Sequence, residues 1–244
     1  MEKRIIVGYR GASENVAVPV KVNVGSGPHS KEDWFNLDWG MLPLLSRTPL
    51  LISLLIKLHI LPKYYSYRWQ NAPRLYDCRK SLPFKANSVD FIYTSHFLEH
   101  LYRYEASSFL KECKRILRKN GVLRVSVPDL KLMAEKYVKG DLSFFLALVK
   151  PENINFNNIE NIADLFMTNF YGHDAWMRPG FIKRLRDKFV RGHHWMYDFY
   201  SLKRMLEDAG FKTIKECKAA EGNVPDIDYL DIYRENSLYV EATP

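Results

Sequence analysis

The run Val20-Lys21-Val22-Asn23-Val24, followed at once by Gly25-Ser26-Gly27-Pro28, constrains this chain more than any other stretch. The run alternates and is rich in β-branched residues, so it predicts a strand. Two glycines directly after a strand permit a tight turn and leave bare backbone for a ligand to approach. Phe35-Asn36-Leu37-Asp38 predicts a second short strand with an acid at its tip. In nucleotide-binding α/β folds an acid at that place grips ribose hydroxyls. The expectation is an adenosine-containing ligand lying over the ends of the first two strands.

The spacing argues against a dinucleotide. The G-x-G-x-x-G pattern puts a third glycine where Ser30 stands. Its ribose acid comes about 20 residues after the first glycine, whereas Asp38 follows Gly25 by 13. That leaves little room for a full helix whose N-terminus would hold a pyrophosphate. S-adenosylmethionine (SAM) has no phosphates. It needs the glycine turn and the ribose acid but no pyrophosphate cradle.

Further along, Arg74-Leu75-Tyr76-Asp77 reads as a third strand and Val89-Asp90-Phe91-Ile92-Tyr93-Thr94 as a fourth. Glu105 to Lys119 has apolar residues at helical spacing and ends in Arg118-Lys119-Asn120-Gly121, which suggests cations in the last turn and a Gly C-cap. Gly121 to Asp129 predicts a fifth strand stopped by Pro128. Ser201 is the expected cap of a helix through Ala209, and Thr213–Lys218 and Ser237–Ala242 the last strands. Strand, helix, strand at this spacing implies right-handed crossovers and a parallel sheet. Residues 130–195 are too long for an ordinary connection. They read as an insertion that roofs the pocket, with helical patches at Leu130–Val138, Leu142–Val149, Ile159–Phe170 and Gly180–Val190.

The segments VNVGSGPHSKEDWFNLD, DCRKSLPFKANSVDFIYTSHFLEHL, FLKECKRILRKNGVLRVSVPDL, HHWMYDFYSLKRMLEDAGF and SLYVEA, in that order, resemble a bacterial family of class I SAM-dependent methyltransferases within the broad type 11 group. The resemblance implies an α/β, Rossmann-like, doubly wound and mostly parallel seven-stranded sheet. It also implies one domain over residues 1–244 with helical cap insertions at about 41–70 and 130–195. The cofactor it implies is SAM, with S-adenosylhomocysteine (SAH) as product. The cofactor residues are then Asn23, Gly25, Ser26, Gly27 and Asp38, with Asp77 and Cys78 near the adenine and Ser95 closing the fourth strand. Asn23 stands where many class I enzymes carry an acid, so it keeps a hydrogen bond to the methionine ammonium without the charge assistance.

Ser95-His96-Phe97-Leu98-Glu99-His100 follows the fourth strand, in the class I slot beside the departing methyl. Alone, H-x-x-E-H is an inverzincin protease pattern, which needs a helix presenting both histidines on one face. At a strand end it is instead a methyltransferase loop. The second histidine word, Gly192-His193-His194-Trp195-Met196-Tyr197-Asp198, lies in the roof. If the acceptor is a hydroxyl its proton must leave. His96 and His193 are the candidate bases, with Glu99 and His100 as orienting groups. A divalent metal held by this cluster is an open alternative, and no metal ligand is assigned.

Three widely spaced cysteines, Cys78, Cys113 and Cys217, argue against a disulfide framework. A cytoplasmic location is expected, since the first 18 residues lack an apolar core of signal-peptide length. The net charge of +8 is uneven: residues 41–80 carry seven Lys and Arg against Asp77, and residues 178–191 six against Asp187. Solvated helix faces or an anionic partner both account for this. Residues 41–61 are the most apolar stretch, but Pro43 and Pro49 break it and the uninterrupted part, Leu50 to Leu61, is too short to span a membrane. A cap, a homodimer interface or a peripheral contact with the inner membrane face are the readings for it. The expected substrate is a small molecule or glycan, an anionic one included. A nucleic acid is not expected, and RNA methylation or an inactive SAM-binding module are the rival functions.

Overall fold

The computed structural model describes residues 18–58, 71–148, 161–171 and 191–244. The N-terminal Ile5-Ile6-Val7, the aromatic run 63–69, the Asn-rich stretch after residue 150, His173 and the helical patch 180–190 lie outside them.

Seven strands build one sheet: β1 (Lys21–Val24), β2 (Phe35–Asp38), β3 (Arg74–Leu75), β4 (Val89–Ser95), β5 (Leu117–Pro128), β6 (Thr213–Cys217) and β7 (Ser237–Thr243). Their order is β3-β2-β1-β4-β5-β7-β6. The first five run parallel, and β7 is antiparallel to both its neighbours. Strand order reverses between β1 and β4. Open α/β sheets bind ligands outside the carboxyl ends of their strands at such a reversal.

β1 is buried at every residue because it lies mid-sheet with both faces covered. Between β1 and β2 the chain makes only turns, with no helix, as the short Gly25–Asp38 spacing requires. One face packs α3 (Arg103–Ile116) through Ala106, Phe109, Leu110, Cys113 and Ile116. The same core includes Leu202, Met205 and Leu206 of α7 (Phe199–Asp208). The opposite face carries a second cluster of Trp34, Tyr93, Val122, Val224, Ile227 and Leu230.

Two boundaries differ from the sequence reading. α3 stops at Ile116, not Lys119, and Gly121 is not its cap. Leu117 is drawn into the sheet opposite Val89, and pairing resumes at Val122 opposite Phe91. The exposed residues 118–120 loop out between, and Arg118 grips both oxygens of Asp90 at 2.5 and 2.6 Å. Sheet pairing there outcompetes three further helical residues. The cap of α7 is Asp198, which accepts from the Ser201 amide at 2.8 Å. Ser201, at the third helical position, accepts from the Asp198 amide and donates to the Asp198 carbonyl, both at 3.1 Å, so it completes the capping box rather than forming the cap itself.

Helices α4 (Leu130–Val138), α5 (Leu142–Leu148) and α6 (Ile162–Tyr171) pack together around Phe145 and Leu165, with Tyr137 stacked on Phe166 at 4.7 Å. They occupy the expected 130–195 insertion. After β2 come α1 (Met41–Leu45) and α2 (Pro49–Lys57). α2 buries Ile52 while Leu50, Leu51 and Leu54 remain exposed. Among the described residues no helix is long and apolar enough to cross a membrane.

Candidate active site

The glycine turn is built by backbone conformation. Gly25 and Gly27 hold φ of +66° and +54°, the left-handed region that a side chain disfavours. The amides of Gly25 and Ser26 both donate to the Leu37 carbonyl, at 2.9 and 3.3 Å, which ties the turn to β2. The Gly27 amide donates to one Asp38 carboxylate oxygen at 2.9 Å and the Trp39 amide to the other at 2.7 Å. Burial pushes the Asp38 carboxyl up to about 6, against the pull of those two amides. A Cβ on Gly25 would lie 2.8 Å from the Phe97 ring, whereas one on Gly27 would meet nothing within 4 Å. The first glycine therefore admits Phe97, and the second faces open space beyond β1.

Around this turn, Asn23 is buried and its Nδ2 donates to Asn36 Oδ1 at 3.3 Å. Ser26 is buried, with Oγ 3.4 Å from the Gly27 carbonyl. Asp77 follows β3, and Arg79 occupies both of its oxygens at 2.6 and 2.7 Å and holds its carboxyl below the ordinary range. An adenine amine at Asp77 has to share that pair. Cys78 is buried, and burial raises its thiol far above the usual value. Ser95 ends β4 and pairs with Ser126 of β5.

The second constellation begins one residue later. His96 takes a left-handed conformation, φ +49°, as the chain leaves β4. Its Nε2 lies 2.7 Å from Ser237 Oγ, its Nδ1 3.4 Å from Glu99, and its ring stacks on Tyr233 at 4.0 Å. Burial drives its basicity down to about 3, so the ring is neutral. Residues Leu98–His100 form a 3₁₀ turn that carries Glu99 fully inside the protein. Neither Glu99 oxygen makes a hydrogen bond, and burial pushes its carboxyl up to about 8.

The roof segment is sewn onto this turn. The amides of His194 and Trp195 donate to the Glu99 carbonyl at 2.7 and 3.2 Å. His100 Nδ1 donates to the Arg191 carbonyl at 2.8 Å, and burial lowers its basicity. Arg191 also reaches Glu105 at 2.6 Å, and His194 stacks on Tyr102 at 4.1 Å. His193 then faces His100, with ring centroids 4.8 Å apart, and its Nδ1 donates to the Asn169 carbonyl at 2.7 Å. One ligating atom from each of Glu99, His100 and His193 falls within 4.8 Å of the others. Two histidine words about a hundred residues apart thus share one spot at the end of β4.

Residues 63–125 match the family model described as "Methyltransferase domain". The strand order, with a reversed β7 between β5 and β6, is that of the class I enzymes.

The chain carries a methyltransferase domain in the class I fold.

No curated protein matches the sequence. Among solved structures, the methyltransferase is similar to a SAM-dependent, possible histamine N-methyltransferase from Thermotoga maritima, at 13% identity and TM-score 0.43 over 94% of this chain and 84% of that one. It is also similar to a SAM-dependent methyltransferase from Archaeoglobus fulgidus, at 12% identity and TM-score 0.44 over 93% and 86%. A third, the PH0226 protein from Pyrococcus horikoshii, shows 13% identity and TM-score 0.45 over 93% and 82%.

The chain's own residues fit SAM as cofactor. The open side of Gly27 gives the ligand bare backbone, and the Asp38 oxygens keep lone pairs for ribose hydroxyls after accepting one amide each. Several residues of the methyltransferase site carry no sequence signal. Phe97 seats the 96–100 segment against Gly25, while Ser237, Tyr233 and Asn169 hold the histidine rings from distant segments. Only proximity in space reveals them. The depression lined by Glu216, Cys217, Lys218, Glu221 and Gly222 includes none of these groups.

Proposed function

We propose that the enzyme methylates a hydroxyl oxygen of a small-molecule or sugar acceptor. The observation that supports this is the Glu99, His100 and His193 cluster beside the cofactor turn. Bound SAM supplies an electrophilic methyl carbon. An amine with a free lone pair attacks such a carbon unaided, whereas a hydroxyl must lose its proton as the new bond forms. The His193 imidazole, gathered with His100 around the buried Glu99 carboxyl, is a proton acceptor that suits such a loss. His193 takes the acceptor proton in this reading, and Glu99 and His100 orient it. His96 is a positioning residue in this reading: Ser237 holds its Nε2 at 2.7 Å, and its Nδ1 stands 3.4 Å from Glu99. The cofactor set remains Asn23, Gly25, Ser26, Gly27 and Asp38, with Asp77, Cys78 and Ser95 completing the adenine and methyl ends. The basic segment 178–191, which precedes the histidine word in the sequence, favours an anionic sugar. The exposed leucines of α2 suit a second copy or a membrane surface.

Incubation with methyl-labelled SAM and a panel of neutral sugars, uronates, nucleotide-linked sugars and RNA tests this. The expected product is a methyl ether, and His193→Ala lowers kcat by about 10²- to 10⁴-fold with little change in SAH affinity. Methyl transfer to nitrogen or carbon, or an undiminished rate in His193→Ala, would refute it.

A further inference from the structure

We propose that Glu99, His100 and His193 form a binding site for one divalent transition-metal ion. Their ligating atoms already lie within 4.8 Å of one another. Around zinc, ligands about 2.1 Å from the metal stand roughly 3.4 Å apart, so the ion draws them inward by about an ångström. Glu99 supplies the independent observation. It is 0% exposed and neither of its oxygens makes a hydrogen bond. His96 Nδ1 stands 3.4 Å from its Oε1; a buried carboxyl group without a hydrogen bond is costly, and a bound cation removes that cost.

The imidazoles are arranged for the same purpose. His100 Nδ1 donates to the Arg191 carbonyl and His193 Nδ1 to the Asn169 carbonyl, at 2.8 and 2.7 Å. Each carbonyl takes the Nδ1 proton, so the lone pair resides on Nε2. Metal-ligating histidines characteristically fix their tautomer through such a bond. The nearby cation Arg191 is compensated by Glu105, so it does not repel an ion from the site.

Donor chemistry sets the metal class. Two imidazoles and one carboxylate suit zinc, manganese, iron or cobalt, and disfavour magnesium and calcium, which prefer all-oxygen sites. Three protein ligands leave coordination positions open. An acceptor hydroxyl bound there loses its proton more readily, since the cation stabilises the alkoxide. With the ion bound, His193 is its ligand and the ion takes over the task given above to the imidazole base; that consequence rests on the hydroxyl reading, whereas occupancy of the site does not.

Chelator-treated protein is titrated with zinc and, separately, with cobalt, whose visible absorption reports its ligands. About one ion per chain is expected. Glu99→Gln and His193→Ala should each weaken binding at least about 10-fold, with melting curves confirming that each variant folds. His194→Ala, on the same segment but stacked on Tyr102, keeps wild-type affinity. X-ray absorption on zinc-loaded wild type should show two imidazoles, and gives a readout independent of any variant. Substoichiometric binding, equal affinity in Glu99→Gln and His193→Ala, or a zinc shell without two imidazoles would overturn the proposal. Methyl transfer that persists after chelation would leave the hydroxyl reading standing and remove the metal from it.

Discussion

Asp38, the residue proposed to grip the ribose, also bears on stability. Its carboxyl is pushed up to about 6 by burial, above the ordinary 3.8. The folded chain therefore holds a proton there that the unfolded chain has already lost between pH about 4 and about 6. The contribution of this group is favourable below that window, declines as pH rises through it, and is constant above it. Two units correspond to at most about 3 kcal/mol. Urea unfolding of the ligand-free protein across this window should show the decline, and Asp38→Asn should flatten it. The glycines tell the same story in backbone. Both have positive φ, yet only Gly25 touches a neighbour, so the two serve packing and ligand access respectively.

Among the elements, β5 carries the most consequential polar contact. Arg124 is fully buried between Asp231 at 2.6 Å and Glu241 at 3.1 Å, and also donates to the carbonyls of Lys218 and Glu221. It fastens the 218–231 segment to the sheet, and Gly222 is small because a Cβ there would collide with Glu241. Arg124→Met leaves two buried carboxylates unpaired. A loss of about 3–5 kcal/mol in chemical denaturation is expected, with much of it restored when Asp231 and Glu241 are also replaced by apolar residues. Such a buried arginine is illegible in sequence, where Leu123-Arg124-Val125 reads as a strand with one outward charge. The end of α3 was hidden for a similar reason. Gly121 and two preceding cations imitate a cap, and only the partner strand at Val89 decides otherwise.

For the molecule as a whole, the sheet was legible because its strands are local patterns: β-branched alternation, glycine breaks, and an acid or proline at the tip. The gathering of His100 and His193 was legible only as a roof over a strand end. What locks them, the Glu99 carbonyl accepting two amides from the roof, is a long-range backbone contact with no residue-type signature. Phe97 has a further consequence. Its ring rests where a Gly25 side chain would stand, and Glu99 and His100 follow it by two and three residues. If the metal proposal holds, a shift of the glycine turn on seating the nucleoside would reach two of the proposed ligands, Glu99 and His100. Thermodynamic reciprocity then demands that zinc alter SAH affinity by the same factor by which SAH alters zinc affinity. Calorimetric titrations in both orders should return equal factors different from unity, and Phe97→Ala should bring both to one.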